Sequence, residues 1–163
     1  FEQKELWIRS PFAMLGYLQD ETLIHSLDDN GFMDTGDLTQ LDNDKINIVG
    51  RKKDIIIRGG INISPTRIEN VISSLRGIED VAVVGLEHDF WGEEIVACIL
   101  DSNNNKYNLK DKLIEYCTNN LGTHEIPDRY LFVQNIPRSF IGKVQKNVLQ
   151  KMVLSQITEH SDV

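Results

Sequence analysis

Apolar positions along this chain change rhythm about a third of the way through. The first stretch alternates short apolar runs with turn-forming residues. Glu5-Leu6-Trp7-Ile8-Arg9 reads as a strand closed by Ser10-Pro11, and Gly16-Tyr17-Leu18 followed by Glu21-Thr22-Leu23 reads as a turn and a short helix. Leu41 to Lys45 forms a hairpin loop into a strand over Ile46–Val49, and the β-branched runs Ile55–Ile57 and Ile61–Ile63 predict two short buried strands. Ser64 and Pro65 then open a helix as N-cap and first helical residue, with Ile68, Val71, Ile72 and Leu75 on one face and Gly77 at its end.

Val81–Val84 and Ile95–Leu100 are apolar runs of strand length, joined by a connection that carries Phe90 and Trp91. Asn103-Asn104-Asn105 is a loop tip, and Asn108 caps a helix whose apolar face is Leu109, Leu113, Ile114, Cys117 and Leu121. Tyr130–Val133 is a further strand. The loop from Pro137 to Lys143 opens a last helix, with Val144, Val148, Leu149 and Met152 sharing a face and a frayed polar tail from Gln156. The expected class is α+β: a small mixed sheet with a β-hairpin and about three covering helices, preceded by the remnant of an upstream β subdomain. The expected units are 1–37, 38–155 and a disordered tail 156–163. Residues 1 to about 36 offer too few apolar positions for a core of their own. The text opens at Phe1 directly in strand-like sequence, so a piece of a larger chain is expected.

Composition narrows the functions available. The formal net charge of −8, from 25 acidic and 17 basic residues, argues against nucleic-acid binding, which needs a basic face. No apolar run approaches bilayer length and no basic-then-apolar leader is present, so no membrane span and a cytoplasmic location are expected. Cys98 and Cys117 fall on apolar faces, as buried thiols of a reducing compartment do. The four histidines show no metal-ligand spacing, and no metal site is expected.

Candidate chemistry concentrates between Gly50 and Ser64. Arg51, Lys52, Lys53 and Arg58 place four basic residues in eight positions, and Gly59-Gly60 can take positive φ or let another molecule approach the backbone. By itself this stretch reads first as a hairpin with a solvated basic turn. Asp37, after Thr35-Gly36 at an expected strand end, is a turn aspartate or a carboxylate aimed into a cleft. Phe90 and Trp91 beside Gly92 are a packed loop or a ligand shelf. Lys143 after Gly142 is a surface lysine or a mobile point charge. It is not part of a phosphate-binding P-loop: the upstream glycine is missing, and Val144 stands where Ser or Thr would hold Mg²⁺.

The ordered set is more specific than any member. Thr35-Gly36-Asp37, Gly50-Arg51-x-Lys53-Asp54, Gly59-Gly60-x-Asn62-Ile63-x-Pro65-x-x-Ile68-Glu69, Trp91-Gly92-Glu93 and Pro137-Arg138-x-x-x-Gly142-Lys143 follow one another in a chain that, from about Glu5 to Leu149, resembles the C-terminal part of the adenylate-forming enzymes. That superfamily holds the acyl-CoA synthetases, the luciferases and the adenylation domains of peptide synthetases. The resemblance implies a two-step reaction: a carboxylic acid attacks ATP to give acyl-AMP and pyrophosphate, and a thiol, usually of coenzyme A, then displaces AMP. It further implies roles. Asp37 holds the ribose hydroxyls and Arg51 reaches the nucleotide. Lys143 bridges phosphate and carboxylate oxygens during adenylation, and Lys53 is the hinge on which a small domain rotates between steps. Gly59, Gly60 and Trp91 line the tunnel for the pantetheine arm of coenzyme A.

Gly59-Gly60-Ile61-Asn62-Ile63-Ser64-Pro65 looks like the acyl- or aryl-CoA synthetases. The chain departs from the family's usual pattern at Phe140-Ile141, where small polar residues are common, and at Glu125, where a basic residue is common. The implied cofactors are ATP with Mg²⁺, its site mostly upstream, and coenzyme A. The implied partners are the N-terminal domain of the same chain and a small-molecule carboxylic acid, with the fragment alone inactive. Two alternatives stand beside this: a non-catalytic domain binding an acyl carrier or partner protein, and an acyl-AMP ligase that loads a carrier protein.

Overall fold

The computed structural model describes residues 4–100 and 106–161. The Asn103-Asn104-Asn105 loop tip lies outside them. The chain divides into two compact units, Phe1–Lys53 and Asp54–Val163.

The first unit is all β. Strands β1 (Lys4–Ile8), β4 (Met33–Asp42) and β5 (Lys45–Arg51) form an antiparallel sheet in the order β1-β4-β5, and β2 (Gly16–Gln19) pairs with β3 (Thr22–His25) as a separate hairpin. That hairpin replaces the short helix expected at Glu21-Thr22-Leu23. Asp20 and Glu21 adopt positive φ (48° and 62°), giving the two-residue turn whose twist suits a hairpin, and Leu18 then faces Leu23. Asn43 and Asp44 close β4–β5 in the same way, with φ of 47° and 62°. Among the described residues of this unit Leu38 is the buried large apolar side chain, while Phe12, Leu15, Tyr17, Leu18, Leu41, Ile46 and Ile48 are exposed.

The second unit has a real core. A 3₁₀ turn, Lys52–Asp54, leads into β6 (Ile56–Arg58) and β7 (Ile61–Ile63), then α1 (Pro65–Ser73), β8 (Val81–His88), β9 (Gly92–Leu100), α2 (Lys106–Asn120), β10 (Arg129–Val133) and α3 (Lys146–Ser161). Strand β9 organises the sheet. Antiparallel β8 runs along one side, while parallel β10 flanks its second half and β6 meets its start at Arg58↔Gly92. The sheet is mixed and its helices lie on both faces, confirming the α+β expectation. Ile68 and Ile72 of α1, with Leu113, Cys117 and Leu121 from α2 and the residue beyond it, pack over Val81, Val83, Ile95, Ala97 and Ile99. Leu149 and Val153 of α3 pack over Ala82, Val84, Leu86, Val96 and Cys98. Odd and even positions go to opposite faces and both faces are buried, so the strands read as continuous apolar runs.

The free edge of β8 is covered by side chains. Glu69 of α1 accepts from the Val83 N–H (2.9 Å), and Gln150 of α3 donates to the Gly85 carbonyl (2.8 Å). Ser64 caps α1 as expected, its Oγ accepting from the Arg67 N–H. Other boundaries moved. Helix α2 begins at Lys106, ahead of Asn108, and β8 and β9 each extend into the expected connection. Helix α3 starts three residues after Lys143, so its buried positions are Leu149 and Val153 while Val148 is exposed. It also continues beyond Gln156, with Ile157 packed against the core.

Candidate functional site

In the first unit, Asp37 and Arg51 sit directly opposite each other on β4 and β5, with Arg51 Nε 2.9 Å from Asp37 Oδ1. Asp37 lies within β4 and not at a strand end, because β4 runs through the turn-like Thr35-Gly36. The local sequence makes this possible. Gly36 takes φ +69° with its N–H donating to Asp34 Oδ1, and Thr35 Oγ1 accepts from the Asp37 N–H while donating to the Leu6 carbonyl. The Asp37 carboxylate is mostly buried and the Arg51 guanidinium half-exposed. A carboxylate so placed is a fixed acceptor beside a cation, suited to a diol next to a phosphate. Lys53, within the 3₁₀ turn, is the last residue of this unit.

In the second unit, Gly59 and Gly60 are the two-residue turn between β6 and β7, with φ of +58° and +79°. Two successive positive φ values define the hairpin turn that glycine favours. The glycines differ in surroundings. A Cβ on Gly59 would lie 3.3 Å from the Trp91 ring, whereas one on Gly60 would meet nothing within 4 Å. Gly59 donates its N–H to the Trp91 carbonyl at 2.7 Å, so Gly59 and Trp91 are brought together as one feature.

Trp91 stands at the tip of the β8–β9 hairpin. His88 Nδ1 accepts from the N–H groups of Phe90 (3.2 Å) and Trp91 (3.3 Å), and the two rings meet edge to face at 4.8 Å. The Arg58 guanidinium lies 5.1 Å from the centroid of the Trp91 ring. Its Nη2 also donates to Asp128 Oδ1 (2.6 Å), and Asp128 is tied to β9 by Oδ2 accepting from the Ile95 N–H (2.8 Å). Arg58 belongs to the basic cluster that the sequence marks, whereas Asp128 is not marked there; its signal is an acid directly after Pro127.

Lys143 ends a tight loop. Ser139 donates its N–H to the Lys143 carbonyl (2.7 Å), Gly142 turns with φ +81°, and Arg138 fixes the base by donating to the Gly142 carbonyl and to both oxygens of Asp80 (2.9 and 2.7 Å). Phe140 and Ile141 are exposed at the tip and the Lys143 side chain faces solvent. Asp80 immediately precedes Val81, which pairs with Ile99 at the end of β9, whereas the Gly59 turn and Trp91 adjoin Gly92 at its start. The nine residues of β9 therefore separate these features by roughly 26 Å, at 3.3 Å per step.

Burial pushes the Cys98 thiol up to about 12 and raises that of Cys117, so both are neutral packing groups. Among the described residues no group of three or more His, Cys, Asp or Glu side chains could hold a metal ion, and no helix is long and apolar enough to cross a membrane.

This fold, with a Gly-Gly hairpin at one end of its sheet and a Gly-Lys loop at the other, is that of the C-terminal domain of the adenylate-forming enzymes, and the chain belongs to that family. Residues 67–143 match the family model of the AMP-binding enzyme C-terminal domain. The chain is 35% identical over 153 residues to a 2-succinylbenzoate–CoA ligase of Staphylococcus epidermidis, covering 93% of this chain and 32% of that protein. It is 35% identical over 148 residues to a long-chain-fatty-acid–CoA ligase of Mycobacterium tuberculosis, covering 90% and 29%. The solved o-succinylbenzoate CoA synthetase of Bacillus subtilis, in complex with its acyl-adenylate intermediate, superposes with a TM-score of 0.81 at 29% identity, covering 92% of this chain and 31% of that one. The chain thus spans about a third of the length of these relatives.

Proposed function

We propose that this chain is the C-terminal portion of a carboxylic acid:CoA ligase that forms an acyl-adenylate from ATP and then a thioester by domain alternation. The observation that carries the reading is the separation along β9. Lys143 and the Gly59-Gly60 turn lie at opposite ends of one packed sheet, so they cannot serve one reaction centre at the same time. A rotation about the turn at Lys53, where the two compact units divide, would present them in succession.

In the first step Asp37 accepts hydrogen bonds from the ribose hydroxyls, Arg51 reaches the nucleotide, and the Lys143 ammonium offsets charge developing on phosphate and carboxylate. In the second, the pantetheine arm passes Gly60 with Trp91 at its border. The open space over Gly60 fits such a ligand, since a Cβ there would meet no atom within 4 Å. Mg²⁺ would travel with ATP, whose phosphates are held by an upstream domain. The poorly buried first unit supports that reading, because its own strands leave many of its apolar residues exposed. The fragment alone is accordingly inactive.

The test uses the full-length enzyme and its two half-reactions. Lys143→Ala is expected to slow pyrophosphate exchange about 10²–10³-fold while sparing thioester formation from preformed acyl-AMP. Equal slowing of both steps would refute alternation with this assignment. The second reading, loading of a carrier protein, predicts transfer to a phosphopantetheinyl carrier and none to free coenzyme A.

A further inference from the structure

We infer that Glu93 is a positioning residue for the thiol-transfer step: its carboxylate latches the Gly59-Gly60 hairpin onto the edge of the main sheet. The inference rests on the reading above for the reaction it serves, while the latch itself is a matter of geometry.

Strand β6 joins β9 through a single residue pair, Arg58↔Gly92. One residue further along, Ile57 faces Asn62 across β6–β7, next to the hydrogen-bonded pair that closes the turn. At such a position the N–H points away from its hairpin partner. Here it points towards β9 and donates to Glu93 Oε2 at 2.6 Å. A side-chain carboxylate thus replaces the missing backbone bond. Together with the Gly59 N–H on the Trp91 carbonyl, it brackets the Arg58–Gly92 pair, so the hairpin is held on both sides of its contact.

The third strand shows how the room for this carboxylate is made. Gly85 on β8 lies across from Ile95, and a Cβ built there would lie 2.6 Å from Glu93 Oε1 and 3.2 Å from Ile56 Cγ1. The absence of a side chain at Gly85 is what lets the Glu93 carboxylate lie flat across the sheet. Gly85 sits within a strand, where glycine otherwise weakens pairing, and close approach of another group is a physical reason for it. Gly85, Glu93 and Ile57 therefore form one device spanning β8, β9 and β6.

The experiment takes the full-length enzyme with Glu93→Ala, Glu93→Gln and Gly85→Ala. It measures pyrophosphate exchange, thioester formation from preformed acyl-AMP, and hydrogen exchange over residues 56–63. Glu93→Ala is expected to slow thioester formation about ten- to a hundredfold, the worth of a charge-assisted hydrogen bond, with exchange over 56–63 accelerated and adenylation within about threefold of the unmutated rate. Glu93→Gln keeps an acceptor oxygen and should recover part of the loss. Gly85→Ala pushes the carboxylate aside and should reproduce Glu93→Ala, with no added loss in the double variant. Unmutated thioester rates in Glu93→Ala, or equal loss in both half-reactions, overturn the positioning role. If the unmutated enzyme makes no thioester, the functional reading itself fails; accelerated exchange over 56–63 in Glu93→Ala would then still establish the latch.

Discussion

Gly60→Leu separates what the fold needs from what a ligand needs. Gly60 has φ +79°, a region that costs a residue with a side chain about 1–2 kcal/mol. A Cβ at this position meets no atom within 4 Å, so the first atom of the new side chain adds no steric cost inside the protein. The variant should therefore fold, with a melting temperature lowered by about 4–8 °C per kcal/mol for a unit of this size. Gly77→Leu is the matched control. Gly77 has φ +103° and equally open surroundings, but it lies past α1 and away from the turn. Both variants should lose comparable stability and keep pyrophosphate exchange. Gly60→Leu alone should lose thioester formation, by at least about a hundredfold if the side chain occupies the path of the pantetheine arm, equivalent to about 2.7 kcal/mol of transition-state binding. Rates are read in the full-length enzyme by single turnover from preformed acyl-AMP. Thioester formation at the unmutated rate in Gly60→Leu would refute the tunnel assignment, and equal failure of Gly77→Leu would trace the loss to stability.

Asp37→Ala should weaken nucleotide binding by about 2–4 kcal/mol through two lost hydrogen bonds to a charged acceptor. The partly exposed ion pair with Arg51 contributes at most about 1 kcal/mol to stability, so unchanged ATP affinity with a lower melting temperature would mark Asp37 as structural. Lys53→Pro fixes φ and removes an N–H within the 3₁₀ turn at the division of the two units, and should preserve one half-reaction while the other fails; equal loss in both would refute a hinge. The Cys98 thiol, held neutral to about 12 when folded against 9.0 ordinarily, stabilises the protein fully below about pH 9. That contribution is lost as pH rises towards 12, about 1.4 kcal/mol per pH unit, so urea unfolding at pH 9 and 11 should show a steeper loss than in Cys98→Ala; parallel losses would refute it.

The α+β class was legible because the helix signals were local. Ser64-Pro65 followed by Ile68 and Ile72 contains its own cap, first turn and buried face, and needs nothing from the rest of the chain. Strand boundaries were less legible for a tertiary reason. With helices on both faces, β8 and β9 lose the alternation that marks a half-buried strand, and the polar ends of both strands read as loop. The β2–β3 hairpin was missed because its turn is Asp20-Glu21, without the Gly or Asn that normally signals two positive φ values. The last helix shifted because Val144, apolar and at helical spacing, is taken by a bridge to Arg138 before the helix begins.

At the candidate site, the sequence picks out a set of residues without telling those with open surroundings from those packed into the frame. Gly59 and Gly60 are adjacent, identical and both at positive φ, yet Gly59 is packed on Trp91 and only Gly60 opens to space. Trp91, Gly92 and Glu93 form one motif. Trp91 presents a ring beside the turn, Gly92 lets the backbones of β6 and β9 meet, and Glu93 supplies a bond the backbone lacks. Arg138 and Lys143 are both basic and five residues apart, but Arg138 is spent on Asp80 and the Gly142 carbonyl, while Lys143 turns to solvent. The difference in each case is set by partners distant in sequence: Trp91 for Gly59, Ile57 for Glu93, Asp80 for Arg138. A substitution at a packed member should therefore cost stability and function together, whereas one at an open member should cost function beyond what its backbone strain takes from stability. That contrast, measured pairwise for Gly59 against Gly60 and Arg138 against Lys143, sorts the motif residues by a criterion that no single position in the sequence contains.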